Sequence, residues 1–173
     1  LLSTEGYLNA YGYGKLFSER LFEVFAKDFD FEFVCFRLFS VYGPRSLGIP
    51  HYALSEMIRS ACENGSIFVR ERHARRSYLH EADFARLIHF AAFRKMEKKV
   101  YNIGGDRVYS MDDLAAIIAQ STGAKVFYNS SEKIKSRRFN YIPNTQLINQ
   151  EFNLNTHNFE SNLNRLILDT ESQ

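Results

Sequence analysis

A chain of 173 residues with 45% hydrophobic content can bury a core as one domain, or as one domain plus a lobe. Its net charge of +2 is too small to mark a polyanion-binding protein by itself, since a few placed arginines suffice for nucleotide phosphates. No run of about 18 apolar residues occurs, so no membrane span is expected, and residues 1–6 lack the basic region and apolar run of a signal peptide.

In chain order, apolar residues recur at helical spacing over 8–29, through Leu16, Phe17, Leu21, Val24, Phe25 and Ala26. Gly12 and Gly14 near the start of this helix suggest close approach of another group to the backbone. Glu19 is expected on the helix surface. Residues 31–38, rich in Phe with one Val, read as a buried strand. Tyr42-Gly43-Pro44 ends it in a loop. A helix over 52–62, stopped by Asn64-Gly65, leads to strands over 67–69 and 76–79 and a helix over 82–93. The strand over 100–103 runs into Gly104-Gly105. Ser110 and Asp113 have the spacing of a capping box, and Gly123 closes the helix that they open. A strand over 125–128 and helices over 145–152 and 159–168 complete the chain, with 129–140 reading as a loop. Strand–helix alternation points to an α/β protein with a mostly parallel sheet. Cys35 and Cys62 read as reduced, buried thiols of a cytoplasmic protein rather than a disulfide or a metal site.

Tyr11 and Lys15 stand four residues apart, on one face of the first helix. A free tyrosine titrates near 10, too high for proton transfer at neutral pH. A neighbouring ammonium favours the phenolate and moves the group toward the working range. Ten Tyr and eight Lys supply roughly half such a match by chance, so the pair alone decides little. Arg70, Arg72, Arg75 and Arg76 form a basic cluster that would suit nucleic acid. The strand–turn–strand pattern around it lacks a nucleic-acid motif, so no such partner is expected. His73, His80 and His89 lack metal-ligand spacing, and no metal site is expected.

Four segments together resemble the extended short-chain dehydrogenase/reductase family, in its NAD-dependent nucleotide-sugar epimerase and dehydratase branch. Residues 9–15 with Glu19 look like its active-site helix. Arg37 through Pro44 looks like its R-x-x-N-x-Y-G-P strand and loop. Residues 76–83 resemble its R-D-F-I-Y-V-x-D segment, and residues 101–105 with Ser110, Leu114 and Ala115 resemble its Y-N-I-G-x signature and following helix. The resemblance implies an α/β fold comprising the C-terminal part of a Rossmann-type parallel sheet and a small mixed α/β substrate-binding lobe. Residues 1–45 would belong to the NAD-binding domain and 46–173 mainly to the lobe, with 100–104 returning to the main sheet.

By that resemblance Tyr11 is the catalytic acid/base and Lys15 holds the nicotinamide ribose of NAD or NADP. Phe39, or the backbone near it, lines the nicotinamide pocket. Arg76 grips the phosphates of a nucleotide-sugar substrate, Arg138, or its neighbour Arg137, is a second phosphate or ribose clamp, and His51 contacts the nucleotide. Ser40 stands where the family has an Asn against the pyrophosphate, and a hydroxyl makes fewer hydrogen bonds than an amide. Ser77 replaces a common Asp. A homodimer in the cytoplasm is implied. The Gly-rich dinucleotide turn does not occur in the sequence. Two readings therefore stand open: a fragment of a complete enzyme, or a truncated chain that is either a non-catalytic remnant or a partner-dependent piece without NAD binding of its own.

Overall fold

The computed structural model describes residues 10–49, 52–128, 140–154 and 156–171. Helix α1 (Ala10–Asp28) leads to β1 (Cys35–Leu38) and, one residue later, β2 (Ser40–Tyr42). A short 3-10 turn (Pro44–Gly48) precedes α2 (Ala53–Asn64), β3 (Ser66–Val69), β4 (Arg75–His80) and α3 (Glu81–Phe93). Then come β5 (Val100–Ile103), β6 (Val108–Ser110), α4 (Met111–Thr122), β7 (Lys125–Tyr128), α5 (Gln146–Glu151) and α6 (Phe159–Glu171).

Three parallel ladders form: β1 on β5, β2 on β4 and β3 on β7. Strand β6 adds antiparallel to β4, which makes the sheet region mixed as well as parallel. Strands β2 and β6, three residues each, are not foreseen by periodicity, because alternation cannot be recognised over three positions. The strand expected over 31–38 is shorter, starting at Cys35. The chain does not end its strand run at the Tyr42-Gly43-Pro44 loop in one piece. It leaves β5 after Leu38 and joins β4 from Ser40, with Phe39 as the joint.

Local signals explain the element ends. Ser110 Oγ accepts from Asp113 N at 3.1 Å, while Asp113 Oδ2 accepts from Ser110 N at 2.7 Å. This reciprocal cap opens α4. Gly123, at φ +72°, adopts the left-handed conformation that closes it. Gly105 is required for a different reason: a Cβ there would lie 2.2 Å from the Tyr78 carbonyl oxygen.

Strand β4 divides two apolar cores, because successive side chains point to opposite faces. Tyr78 joins Ile58, Ile67, Leu114, Ile118, Leu163 and Ile167. Leu79 joins Leu87, Tyr101, Ile103, Ile148 and Leu154 on the other side. Helix α1 is much less covered. Ala26 is its single buried residue, and Tyr11, Tyr13, Phe17, Phe22 and Phe25 are exposed.

Candidate functional site

The joint between β1 and β2 places Phe39. Its N–H donates to the Ile103 carbonyl at 3.0 Å, extending the β1–β5 ladder by one bond. The ring stacks on Tyr141, with centroids 4.3 Å apart. Tyr141 is held in turn by its backbone: its N–H donates to the Arg75 carbonyl at 2.9 Å, and it forms a bridge with Arg76. The Arg76 guanidinium sits 5.9 Å from the Tyr141 ring centroid, within cation–π range, and donates to the Arg75 carbonyl. Burial pushes the Tyr141 phenol above its ordinary range, the neighbouring Tyr11 phenol adds to this, and Arg76 opposes it.

Tyr11 lies in the first turn of α1. It is 72% exposed, and the Lys15 ammonium lies 5.5 Å from its ring centroid. At Gly14, between them, an added Cβ would meet nothing within 4 Å among the described residues. The close approach expected there has no source in the described chain. Ser40 pairs with Tyr78 through the β2–β4 ladder and is half-buried. Ser77 is fully buried, and its hydroxyl has no hydrogen-bond partner among the described residues. His51 and Arg138, with Arg137, lie outside the described residues.

The structure thus brings Phe39 and Arg76 onto a residue that the sequence did not single out, Tyr141, while Lys15 lies against Tyr11 on α1. Nothing local marks Tyr141, since its partners Phe39 and Arg76 are distant in sequence.

Two expectations change. Glu19 is not on the surface: its side chain is 9% exposed. It accepts two hydrogen bonds from Arg37, at 2.9 Å from Nε and 2.8 Å from Nη2. These hold its carboxyl below the usual carboxylate range. Helix periodicity cannot foresee this, because the partner comes from β1. Cys35 and Cys62 are half-buried rather than buried, and Cys35 donates its thiol to Glu19 at 3.7 Å. Burial and the Glu19 charge push that thiol up.

His80 lies elsewhere, at the start of α3. Its Nδ1 accepts from Ala82 N at 3.1 Å, capping the helix, and its ring stacks on His157 at 4.3 Å. His157 pairs with buried Asp83 at 2.9 Å. Among the described residues no group of three or more His, Cys, Asp or Glu could hold a metal ion. No helix is long and apolar enough to cross a membrane among them.

Parallel ladders flanked by helices, with polar side chains gathered at the joint between two strands, define a Rossmann-like α/β protein. Residues 2–104 match the model of the NAD dependent epimerase/dehydratase family, and the chain belongs to that family. No curated protein matches it in sequence. Solved structures share its fold. UDP-glucose 4-epimerase from Thermotoga maritima is 19% identical, with a TM-score of 0.80 over 96% of this chain and 55% of its own. dTDP-glucose 4,6-dehydratase from Bacillus anthracis, solved with NAD, is also 19% identical, with a TM-score of 0.80 over 97% of this chain and 54% of its own. UDP-N-acetylglucosamine 4-epimerase from Methanobrevibacter ruminantium is 18% identical, with a TM-score of 0.81 over 100% of this chain and 57% of its own. The chain therefore spans little more than half the length of these relatives.

Proposed function

We propose that this chain carries the active-site helix and the substrate lobe of an NAD(P)-dependent nucleotide-sugar epimerase or dehydratase, working in the cytoplasm as a homodimer. What supports this is membership of the family, with Lys15 held over the Tyr11 ring on α1 and Phe39, Tyr141 and Arg76 in contact at one strand joint. Residues 1–45 would serve the NAD-binding domain. Residues 46–173 would serve mainly the sugar-nucleotide lobe, with 100–104 in the main sheet beside β1.

The residues present fit one end of the dinucleotide. Lys15, Tyr11 and Phe39 suit the nicotinamide and its ribose, while no Gly-rich turn for the pyrophosphate occurs among the described residues. Bound NAD(P) supplies the acceptor of a hydride from a sugar carbon. Tyr11 takes the proton of the hydroxyl on that carbon at its phenolic oxygen. Lys15 orients the ribose and stabilises negative charge on the phenol. Arg76 grips the diphosphate with its planar fork, and Arg138 and His51 contribute a second phosphate contact and a nucleotide contact. Tyr141 offers its ring between Phe39 and Arg76 as a wall for the sugar or base, and Ser40 gives a hydroxyl where the pyrophosphate passes.

A second reading is favoured by the exposed Phe17, Phe22, Phe25 and Phe29 of the N-terminal region. In it the chain holds no NAD of its own and acts only beside a partner polypeptide. One experiment separates the two. The protein is mixed with NAD and a UDP- or dTDP-hexose, and reduced nicotinamide and sugar products are followed. Turnover by the protein alone supports the enzyme. Absence of both turnover and NAD binding supports the partner-dependent reading.

A further inference from the structure

Among the described residues, apolar burial contributes little to the orientation of α1. Ala26 is its one buried side chain, and aromatic residues on several sides of it are exposed. Among the described residues, directional restraint of this helix comes from its polar contacts. The polar ties at its outer part are weak: Glu23 meets Lys99 at 3.9 Å, with the lysine side chain 60% exposed.

The Glu19–Arg37 pair differs in kind. Both side chains are largely buried, at 9% and 20% exposure. Two parallel N–H···O bonds join the guanidinium fork to both carboxylate oxygens, and the Cys35 thiol donates into the same carboxylate. A bidentate fork fixes direction as well as distance, which a single contact does not. Glu19 is four residues from Lys15 and eight from Tyr11, so all three lie toward one side of the helix. Arg37 stands two residues before Phe39 on the strand that places it. The clamp thus links the two halves of the candidate site, the helix with its phenol and ammonium and the strand with its aromatic wall.

We propose that Glu19 and Arg37 are positioning residues for the Tyr11–Lys15 face: their buried bidentate pair sets the rotation of α1 against β1. This rests on the acid–base reading of Tyr11 given above. A helix with its side chains has a radius of about 6 Å, so a turn of about 10° carries the tip of Tyr11 by about 1 Å. A misplacement of that size can lower a rate by about 100-fold.

The test uses two conservative variants. Glu19→Gln keeps the shape and removes the charge. Arg37→Lys keeps the charge and removes the fork. Spin labels at positions 13 and 93, both exposed in the wild type, report the distance from α1 to α3 by pulsed electron resonance. The background is Cys35→Ser, which keeps a donor to Glu19, with Cys62→Ala. The expected result is a single narrow distance with the clamp intact and a broadened or shifted one in both variants, measured well below their unfolding temperatures. In the turnover assay, kcat falls roughly 10- to 100-fold while KM moves less than about twofold. A distance distribution unchanged in both variants overturns the proposal, even if both unfold at lower temperature. If Glu19→Gln does not fold, Arg37→Lys alone decides it. Lack of turnover in the unmutated protein would count against the acid–base reading, while the distance measurement still decides the clamp.

Discussion

Helix α4 buries Met111, Leu114, Ala115 and Ile118, while the longer α1 buries Ala26 alone. The first sits in a core shared with α2, α6 and β3, where Ile58, Ile67, Leu163 and Ile167 are fully covered. The second leans on its strand through an ion pair and leaves Tyr13 and Phe17 in solvent. Apolar burial is non-directional and scales with area, so it stabilises the lobe without specifying any single angle. A hydrogen-bonded ion pair adds little net stability but fixes a direction. The candidate site draws on both regions: Arg76 from the packed lobe, and Tyr11 and Lys15 from the open helix.

Substitutions in the two regions should separate these contributions. Leu114→Ala, at a fully buried position, should destabilise the protein by about 2–5 kcal/mol, through lost burial and the cavity left behind. Leu21→Ala on α1, at 37% exposure, should cost less than about 1 kcal/mol. Urea midpoints measure both, and equal losses would erase the contrast.

A smaller effect should appear with pH at the start of α3. Burial, and then the neighbouring His157, hold His80 below the usual imidazole range, while Asp83 and Glu81 oppose the shift. With its value depressed in the folded protein, the neutral ring is the form that folding favours. Its contribution is complete above about 6.5, the unfolded value, and is lost as pH falls through the folded value. Protonation also removes the Nδ1 acceptor that caps α3 and sets a cation at a helix N-terminus. Stability should therefore fall as pH drops below about 6.5, with a slope well below the one-proton limit of about 1.4 kcal/mol per pH unit, because the ring is only half-buried. His80→Asn keeps a capping oxygen and should flatten that part of the curve. A curve unchanged by the substitution would assign the pH dependence to other groups. Asp83, held low by Thr156 and His157 against its burial, should add its own loss only at more acid pH.

What was legible in the sequence follows the range of the interactions. The α4 cap needed only Ser110, Asp113 and Gly123, all close in the chain, and its element follows them. Tyr11 and Lys15 share a helix turn, and their proximity follows from spacing alone. Glu19 was misplaced because its environment depends on Arg37, 18 residues away on another element. Tyr141 was invisible because its role depends on Phe39 and Arg76, brought to it by the β2–β4 ladder and a single backbone bridge. Strands β2 and β6 escaped because three residues give no period to read.

The most direct measurement is the steady-state and binding analysis of Tyr11→Phe against the unmutated protein, supplied with NAD and a nucleotide hexose. Removing one hydroxyl should lower kcat by about 100-fold or more, the range of a lost acid–base group, and leave nucleotide-sugar affinity nearly unchanged. Turnover preserved in Tyr11→Phe would contradict the assignment of proton transfer to this helix and, with it, the reason for holding α1 at a fixed angle.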